Sequence, residues 1–266
     1  MIIPKFSIIV PYGGEGDIAS TISSILSQVS VHKEVIIVTR KGMAESVKAA
    51  LVSEVNVVEE ATSGVYGALN TGIDKVKGEV FCFLSSGAIF KSIYILEEYS
   101  RIFREIPDAK FVTSGWVQER IANFPEIYLS KRINSFKHFW SRQPINIEAV
   151  AIRSGSDFNL RFDETYQIAA DYKFIRNLIR SGKAARLKSE SVVLPPPGLS
   201  SNPQFNGESE VVSIRNEMLA RRIGGLAPRF NLLISTLLDL PGIIRAWERI
   251  FFKKFKQALS QFDEQD

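Results

Sequence analysis

Cysteine occurs once in 266 residues and histidine twice. Cys82 has no second thiol, so a disulfide framework and a cysteine-rich metal site are both excluded, and a reducing cytoplasm is the expected home. His32 and His138 lack metal-ligand spacing and read as structural or surface residues. Met1 leads directly into strand-like sequence, without the basic, apolar and small-residue regions of a secretory leader, and no translocation is expected. A dinucleotide fingerprint is missing too: Tyr12-Gly-Gly-Glu-Gly-Asp17 follows the first strand but has no third glycine at the required offset, which disfavours an oxidoreductase. Lys and Arg exceed Asp and Glu by only 33 to 29, with much of the excess near the C-terminus. That leaves no general nucleic-acid footprint.

What is present is an ordinary globular composition, 45% hydrophobic and 23% charged, long enough to bury a sizeable core. Short apolar, β-branched runs at residues 6–10, 34–38, 55–58 and 80–84 read as buried strands. Between them, helical spacing marks Ile18, Ile22, Ile25, Leu26 and Val29 behind an N-cap at Asp17, then Ala44, Val47 and Leu51, then Ala68, Ile73 and Val76. Strand and helix alternate, as in parallel βαβ units. Further along, residues 93–103 predict a helix, Phe111-Val112 and 148–152 predict strands, and Asp171 heads a helix bearing Phe174, Ile175, Leu178 and Ile179. In open parallel sheets ligands sit outside the carboxyl ends of the strands. The residues after Val10, Val38, Val58 and Leu84 are therefore the first candidates for a site.

Four segments, spread over roughly residues 5 to 201, carry a resemblance. Ser7-Ile-Ile-Val-Pro11 precedes a helix ending Ser24-Ile-Leu-Ser-Gln28. Gly64-Val-Tyr-Gly-Ala-Leu-Asn-Thr-Gly-Ile73 is close to G-I-Y-D-A-M-N-K-G-I, and Lys77-Gly-Glu-Val-Phe-Cys-Phe-Leu84 is close to G-E-Y-I-x-F-L. Phe162-Asp-Glu-Thr-Tyr-Gln-Ile-Ala-Ala-Asp-Tyr172 is similar to F-D-E-x-Y-x-I-A-A-D-Y, and Gly198-Leu-Ser-Ser201 echoes a G-G-x-S loop. Together, in this order, they resemble the family 2 glycosyltransferases, especially the bacterial branch that extends surface polysaccharides. The resemblance implies an α/β, GT-A-like nucleotide-sugar-binding fold, with a mostly parallel central sheet flanked by helices. It also implies transfer of a sugar from a nucleotide sugar to a glycan or lipid-linked acceptor. By the same resemblance Asp171 is the general base, Pro11, Tyr12, Thr39, Tyr66, Asn70, Ser85 and Ser86 lie on the donor side, and Glu148 and Tyr172 lie on the acceptor side.

An inverting transferase needs a carboxylate to take the acceptor's proton and something to offset charge on the departing diphosphate. Asp171 matches the first need, although an aspartate at a helix start also serves as a cap. On the donor side the family's acidic positions are gone. Its D/N-S-D-D metal motif reads Ser85-Ser-Gly-Ala88, other acidic positions are Thr39, Thr62 and Gly67, and its His-Gln pair is Ile147-Glu148. Serine hydroxyls are weak ligands for a hard divalent ion, so no metal-binding residue is expected, unless Glu59 and Glu60 retain an ion. Arg40, Lys41 and Arg153 are candidates to meet diphosphate charge instead. The missing acidic residues keep a second reading open, a non-catalytic relative acting as a binding or assembly partner.

Two domains are expected, a glycosyltransferase-like domain over 1–225 and a helical, basic tail over 226–266. Residues 230–240 are apolar but short, and Pro241-Gly242 breaks the run. Over 243–259, apolar residues such as Ile243, Trp247 and Phe251 alternate with Arg245, Arg249 and Lys253, as in an interfacial helix that lies on a membrane surface rather than crossing it. Peripheral association with the inner face of the cell membrane follows as an expectation.

Overall fold

The structure is a computed structural model and describes residues 5–51, 55–119, 126–129, 145–155, 160–196, 210–211 and 213–214. The chain divides into two compact units, Met1–Glu210 and Val211–Asp266. The sheet and the helices that cover it belong to the first unit. His138, the Gly198–Ser201 segment and the basic tail lie outside the described residues.

The elements run β1 (Phe6–Tyr12), α1 (Ile18–Leu26), β2 (Lys33–Thr39), α2 (Ala44–Ala50), β3 (Asn56–Glu59), α3 (Val65–Asp74), β4 (Val80–Phe83), β5 (Ile89–Phe90) and α4 (Ile95–Glu105). They continue with β6 (Phe111–Gln118), β7 (Glu126–Tyr128), a 3-10 turn (Ile147–Ala149), β8 (Val150–Arg153), α5 (Ala170–Ser181) and β9 (Ala184–Leu194). One sheet holds every strand of the described residues, in the order β3-β2-β1-β4-β8-β6-β9-β5, with β7 paired to β6. The half built from β3, β2, β1 and β4 is parallel throughout. β8 runs antiparallel between β4 and β6, and β6 pairs in parallel with β9.

Strand β1 shows why the half-sheet is apolar throughout. Phe6, Ile8 and Val10 enter a core with Ile22, Ile25, Val47, Leu96 and Ile102, whereas Ile9 points the other way, into a core with Leu69, Phe81, Phe83, Phe174 and Leu178. Helices α1, α2 and α4 thus cover one face, and α3 and α5 cover the other. Both faces of a parallel strand are buried in this arrangement, which removes the polar alternation. Gly72 lets α3 sit close on β1, because a Cβ there would lie 2.3 Å from Ile9 Cγ2.

Asp17 caps α1 as expected, with Oδ1 accepting the Ser20 N–H at 3.0 Å. The sequence signal stopped at Val112, but β6 runs on to Gln118, and its long partner β9 was not anticipated. Their pairing shifts register between Thr113 and Trp116. Such an irregularity breaks the period-2 alternation by which a strand is read from sequence.

Candidate functional site

At the carboxyl edge of the parallel half, Tyr12 is in register with Thr39, and Thr39 with Glu59. Ser85 follows β4 on the same edge. The antiparallel register of β8 on β4, Cys82 against Ala151, brings the preceding 3-10 turn to that edge as well. Helix α3 begins there, and Tyr66 in its first turn reaches the start of α5 by donating its hydroxyl to the Ile168 carbonyl. Pro11, Tyr12, Thr39, Tyr66, Ser85, Glu148 and Asp171 are thereby gathered at one edge of the sheet.

The start of α5 is held from two sides. The N–H groups of Asp171 and Ala170 point at the Tyr66 oxygen, yet burial pushes the pKa of that phenol well above its ordinary value, and the nearby Asp171 and Glu210 charges push it the same way. Glu210 accepts the N–H groups of Gln167 and Ile168 at 2.8 Å and of Ala169 at 2.7 Å. Ala169 is the N-cap of α5, and Gln167 and Ile168 lead into it, so Glu210 anchors the chain where it enters the helix. Glu210 carries no signal in the sequence, because it lies about forty residues along the chain from the segment it holds. Asp171 stands in the first turn of α5, half-buried, and its Oδ1 accepts the Tyr172 N–H at 2.7 Å.

Packing accounts for much of the matched sequence. Both Asn70 N–H groups are used, on the Phe162 carbonyl at 3.0 Å and on Glu164 Oε1 at 2.7 Å, while Asn70 Oδ1 accepts the Phe162 N–H at 2.9 Å. Asn70 therefore clamps α3 to the 160–169 segment and offers no free N–H to a donor, which corrects its expected role. Phe162 stacks on Phe174 with centroids 4.2 Å apart and on Tyr66 at 5.5 Å. Tyr172 is only 3% exposed, so its ring belongs to the packing rather than to an open acceptor surface. Lys173 pairs with Asp163 at 2.7 Å. Burial alone would raise the Asp163 pKa, but hydrogen bonds from Lys173 and Thr165 bring it below its ordinary value.

The loop after β4 differs from the resembled pattern in more than its lack of acids. Gly87 has φ +92, a conformation that glycine adopts freely and an aspartate adopts only under strain. Ala88 is fully buried, so a carboxylate there would lose its water. A Cβ on Gly67 would lie 2.1 Å from the Thr62 carbonyl oxygen, so that acidic position is closed by backbone. Thr21 Oγ1 accepts the Gly87 N–H at 2.9 Å and fixes the loop against α1. Ser86 Oγ is buried without a partner and faces the turn, where a Cβ on Gly16 would sit 2.8 Å from it. Thr39 is 1% exposed and turns its hydroxyl toward the Val58 carbonyl at 3.4 Å. Ser86 and Thr39 thus point their hydroxyls into the protein, contrary to the donor contacts expected of them.

The carboxylate that does reach this loop is Glu148. Its Oε2 accepts the Ser85 N–H at 2.8 Å, and Ser85 Oγ lies 3.1 Å from both carboxylate oxygens. Burial raises its pKa above the ordinary 4.5, and the bonds from Ser85 oppose that shift without reversing it. Glu59 is occupied by the Gly42 N–H at 2.8 Å, and Glu60 by the Gly64 N–H at 3.3 Å. Among the described residues no three His, Cys, Asp or Glu side chains come together as a metal site.

Of the three cations considered, the structure separates one from the others. Arg153 is in register with Val80, at the opposite edge of the sheet, where it stacks on Phe103 at 4.8 Å and donates to the Ala109 carbonyl at 3.2 Å. It is too far round the sheet to meet a ligand beyond β4, which corrects the expectation. Arg40 and Lys41 follow β2 at the site edge and are exposed. The Arg40 guanidinium lies across Gly13, with Nη2 3.0 Å from where a Cβ on that residue would be.

These features define a GT-A-like α/β fold, with a polar edge where the carboxyl ends of β1, β2 and β4 meet the start of α5. Among solved structures the chain is similar to the S. aureus glycosyltransferase TarS. Against TarS 1–349 in complex with UDP the TM-score is 0.63 at 16% identity, over 81% of this chain and 65% of that one. Against the same protein with UDP-GlcNAc the TM-score is 0.59 at 15% identity, over 81% and 66%. This chain thus spans about two-thirds of those structures. No protein-family model matches the sequence, and no curated protein matches it. Among the described residues no helix is long and apolar enough to cross a membrane.

Proposed function

We propose that this protein transfers a sugar from a nucleotide-sugar donor to a glycan or lipid-linked acceptor in surface-polysaccharide synthesis. The observation that carries the reading is the position of Asp171. It stands in a clamped helix start at the sheet edge, in a fold shared with proteins captured with UDP and UDP-GlcNAc. In this reading an acceptor hydroxyl attacks the anomeric carbon, its proton passes to the Asp171 carboxylate, and the bond to the nucleoside diphosphate breaks with its electron pair leaving on the phosphate. Positioned bases of this kind typically contribute about a hundred- to ten-thousandfold in rate. Arg40 and Lys41 are the side chains placed to offset the diphosphate charge, and no step is assigned to a metal. Pro11 and Tyr12 would flank the nucleotide. The test is release of UDP from UDP-GlcNAc, and from other nucleotide sugars, in the presence of candidate acceptors. Turnover by the native chain and its loss in Asp171→Asn support the reading, whereas an Asn variant as fast as the parent overturns the role of Asp171.

The Ser85–Ala88 loop favours one second reading, a non-catalytic relative that keeps the fold to bind or assemble other enzymes. Nucleotide-sugar binding without turnover under any acceptor would favour it. As a further part of the proposal, the protein is cytoplasmic and the tail at 243–259 rests on an anionic membrane surface. Flotation with anionic vesicles should be lost on truncation after Ala227, and equal failure to float with and without the tail would end that idea.

A further inference from the structure

Among the described residues Glu148 is bound by Ser85 alone. A carboxylate offers about four acceptor sites. Ser85 supplies two hydrogens, its N–H and its O–H, and among the described residues no other donor reaches the group. The side chain is nonetheless half-buried and carries a desolvation cost that these two bonds do not cancel. Its backbone is firmly placed: Asn146 Oδ1 accepts the Glu148 N–H at 2.8 Å, and the next carbonyl, of Ala149, accepts from the buried Ser114 hydroxyl at 3.1 Å. Ser114 is itself tied to Tyr99 at 2.9 Å and to Ser191 at 2.5 Å. Among the described residues an acceptor group short of donors is thus placed, on a fixed backbone, beyond the carboxyl end of β4.

The chemistry of a ligand that completes it can be narrowed. Among the described residues no two further His, Cys, Asp or Glu side chains join Glu148 to hold an ion. A phosphate would be repelled by a carboxylate. Neutral groups with O–H donors remain, and a sugar ring presents them in adjacent pairs that match the two oxygens of a carboxylate.

Resting on the nucleotide-sugar reading, we infer that Glu148, seated on Ser85, binds hydroxyl groups of the transferred sugar and selects for the sugar rather than the nucleotide. From the 3-10 turn before β8 it reaches Ser85, in the loop where the resembled family would place metal-binding acids, and gives that loop a different task. Diphosphate contacts then fall to the Arg40 side of the edge, and sugar contacts to the Glu148 side.

The test is calorimetric titration of the full chain and its Glu148→Gln variant with UDP and with UDP-GlcNAc, each with magnesium and with a chelator. Glutamine keeps the length of the side chain and can still accept the Ser85 N–H, while losing the charge. The expected result is unchanged UDP affinity and UDP-GlcNAc affinity reduced about tenfold or more, as for loss of a charged hydrogen bond, with chelation changing neither. Glu148→Asp, which withdraws the carboxylate by one methylene, should weaken UDP-GlcNAc in the same selective way and guards against a folding defect in the first variant. Equal weakening of both ligands, no change in either, or an effect that appears only with magnesium would overturn the inference. Failure of the native chain to bind UDP at all would instead strike the nucleotide-sugar reading, and this inference with it.

Discussion

Two glutamates at opposite edges of one sheet each accept from a serine hydroxyl and a backbone N–H, but one also has a lysine beside it, and they respond in opposite ways. Glu34, at the amino edge of β2, accepts from the Ser7 hydroxyl, from the Lys77 N–H at 2.9 Å and from Lys5 Nζ at 3.5 Å. Burial would raise its pKa, but these three contacts and the Lys5 charge hold it below its ordinary value. Glu148, at the carboxyl edge, also has a serine hydroxyl and a backbone N–H but no cation, and burial prevails. The polar groups around Glu34 at the amino edge are therefore tied to one another. Ser7 also accepts the Gly78 N–H at 2.8 Å, and a Cβ on Gly78 would meet the Lys5 carbonyl oxygen at 2.6 Å. The Lys-Gly-Glu sequence before β4 thus serves a tight structural join. A polar group whose partners are complete stabilises the fold, whereas one that is short of partners is available to a ligand.

The sharpest way to break this division is to alter one residue at each edge and measure both rate and stability. Asp171→Asn at the carboxyl edge should lower turnover about a hundred- to ten-thousandfold, with little change in the urea midpoint. Ser7→Ala at the amino edge should do the reverse. It leaves the Gly78 N–H without its acceptor and should cost about 1–3 kcal/mol of unfolding free energy, with turnover per folded molecule unaltered. A Ser7 variant that loses catalysis while remaining folded would dissolve the distinction.

A somewhat smaller effect is expected from restoring acids to the donor loop. Gly87→Asp places a side chain at φ +92, and a non-glycine residue held in such a conformation costs of order 1–3 kcal/mol. Gly67→Asp meets the Thr62 carbonyl and should cost about 1–3 kcal/mol by overpacking. Neither should make UDP binding depend on magnesium, as followed by titration with and without a chelator. A gain of metal-dependent affinity in either variant would show that the loop retains the geometry of an ion site.

The smallest effect is the most specific to the two glutamates. Glu148 binds its proton more tightly in the folded state than the ordinary 4.5, so its contribution is present below that value and is lost as pH rises through the elevated folded pKa. Glu34 has a depressed folded pKa, so its contribution is present above 4.5 and is lost as pH falls through the lower folded value. Denaturation of Glu148→Gln and Glu34→Gln should therefore differ from the native chain with opposite pH slopes. Stability relative to the native chain should rise with pH for the first and fall with pH for the second. Slopes of the same sign would mean that the two environments are not opposed.

The sequence by itself determined the parallel half of the sheet. Runs such as 6–10 and 34–38 have no polar alternation, and a strand buried on both faces requires none. The resemblance singled out Asp171 as the candidate base, because that aspartate sits in a continuous matched segment with Phe162 and Tyr172. Only the tertiary structure showed that Asn70 and Tyr172 serve the packing, that Arg153 lies at the far edge, and that β9 completes the sheet through a shifted register. It alone joined Glu210 to the start of α5 and Glu148 to Ser85. Periodicity and local motifs report on neighbours along the chain and on which face is buried. The partners of a buried polar group come from distant segments, and whether its hydrogen-bonding capacity is filled is decided only when those segments meet.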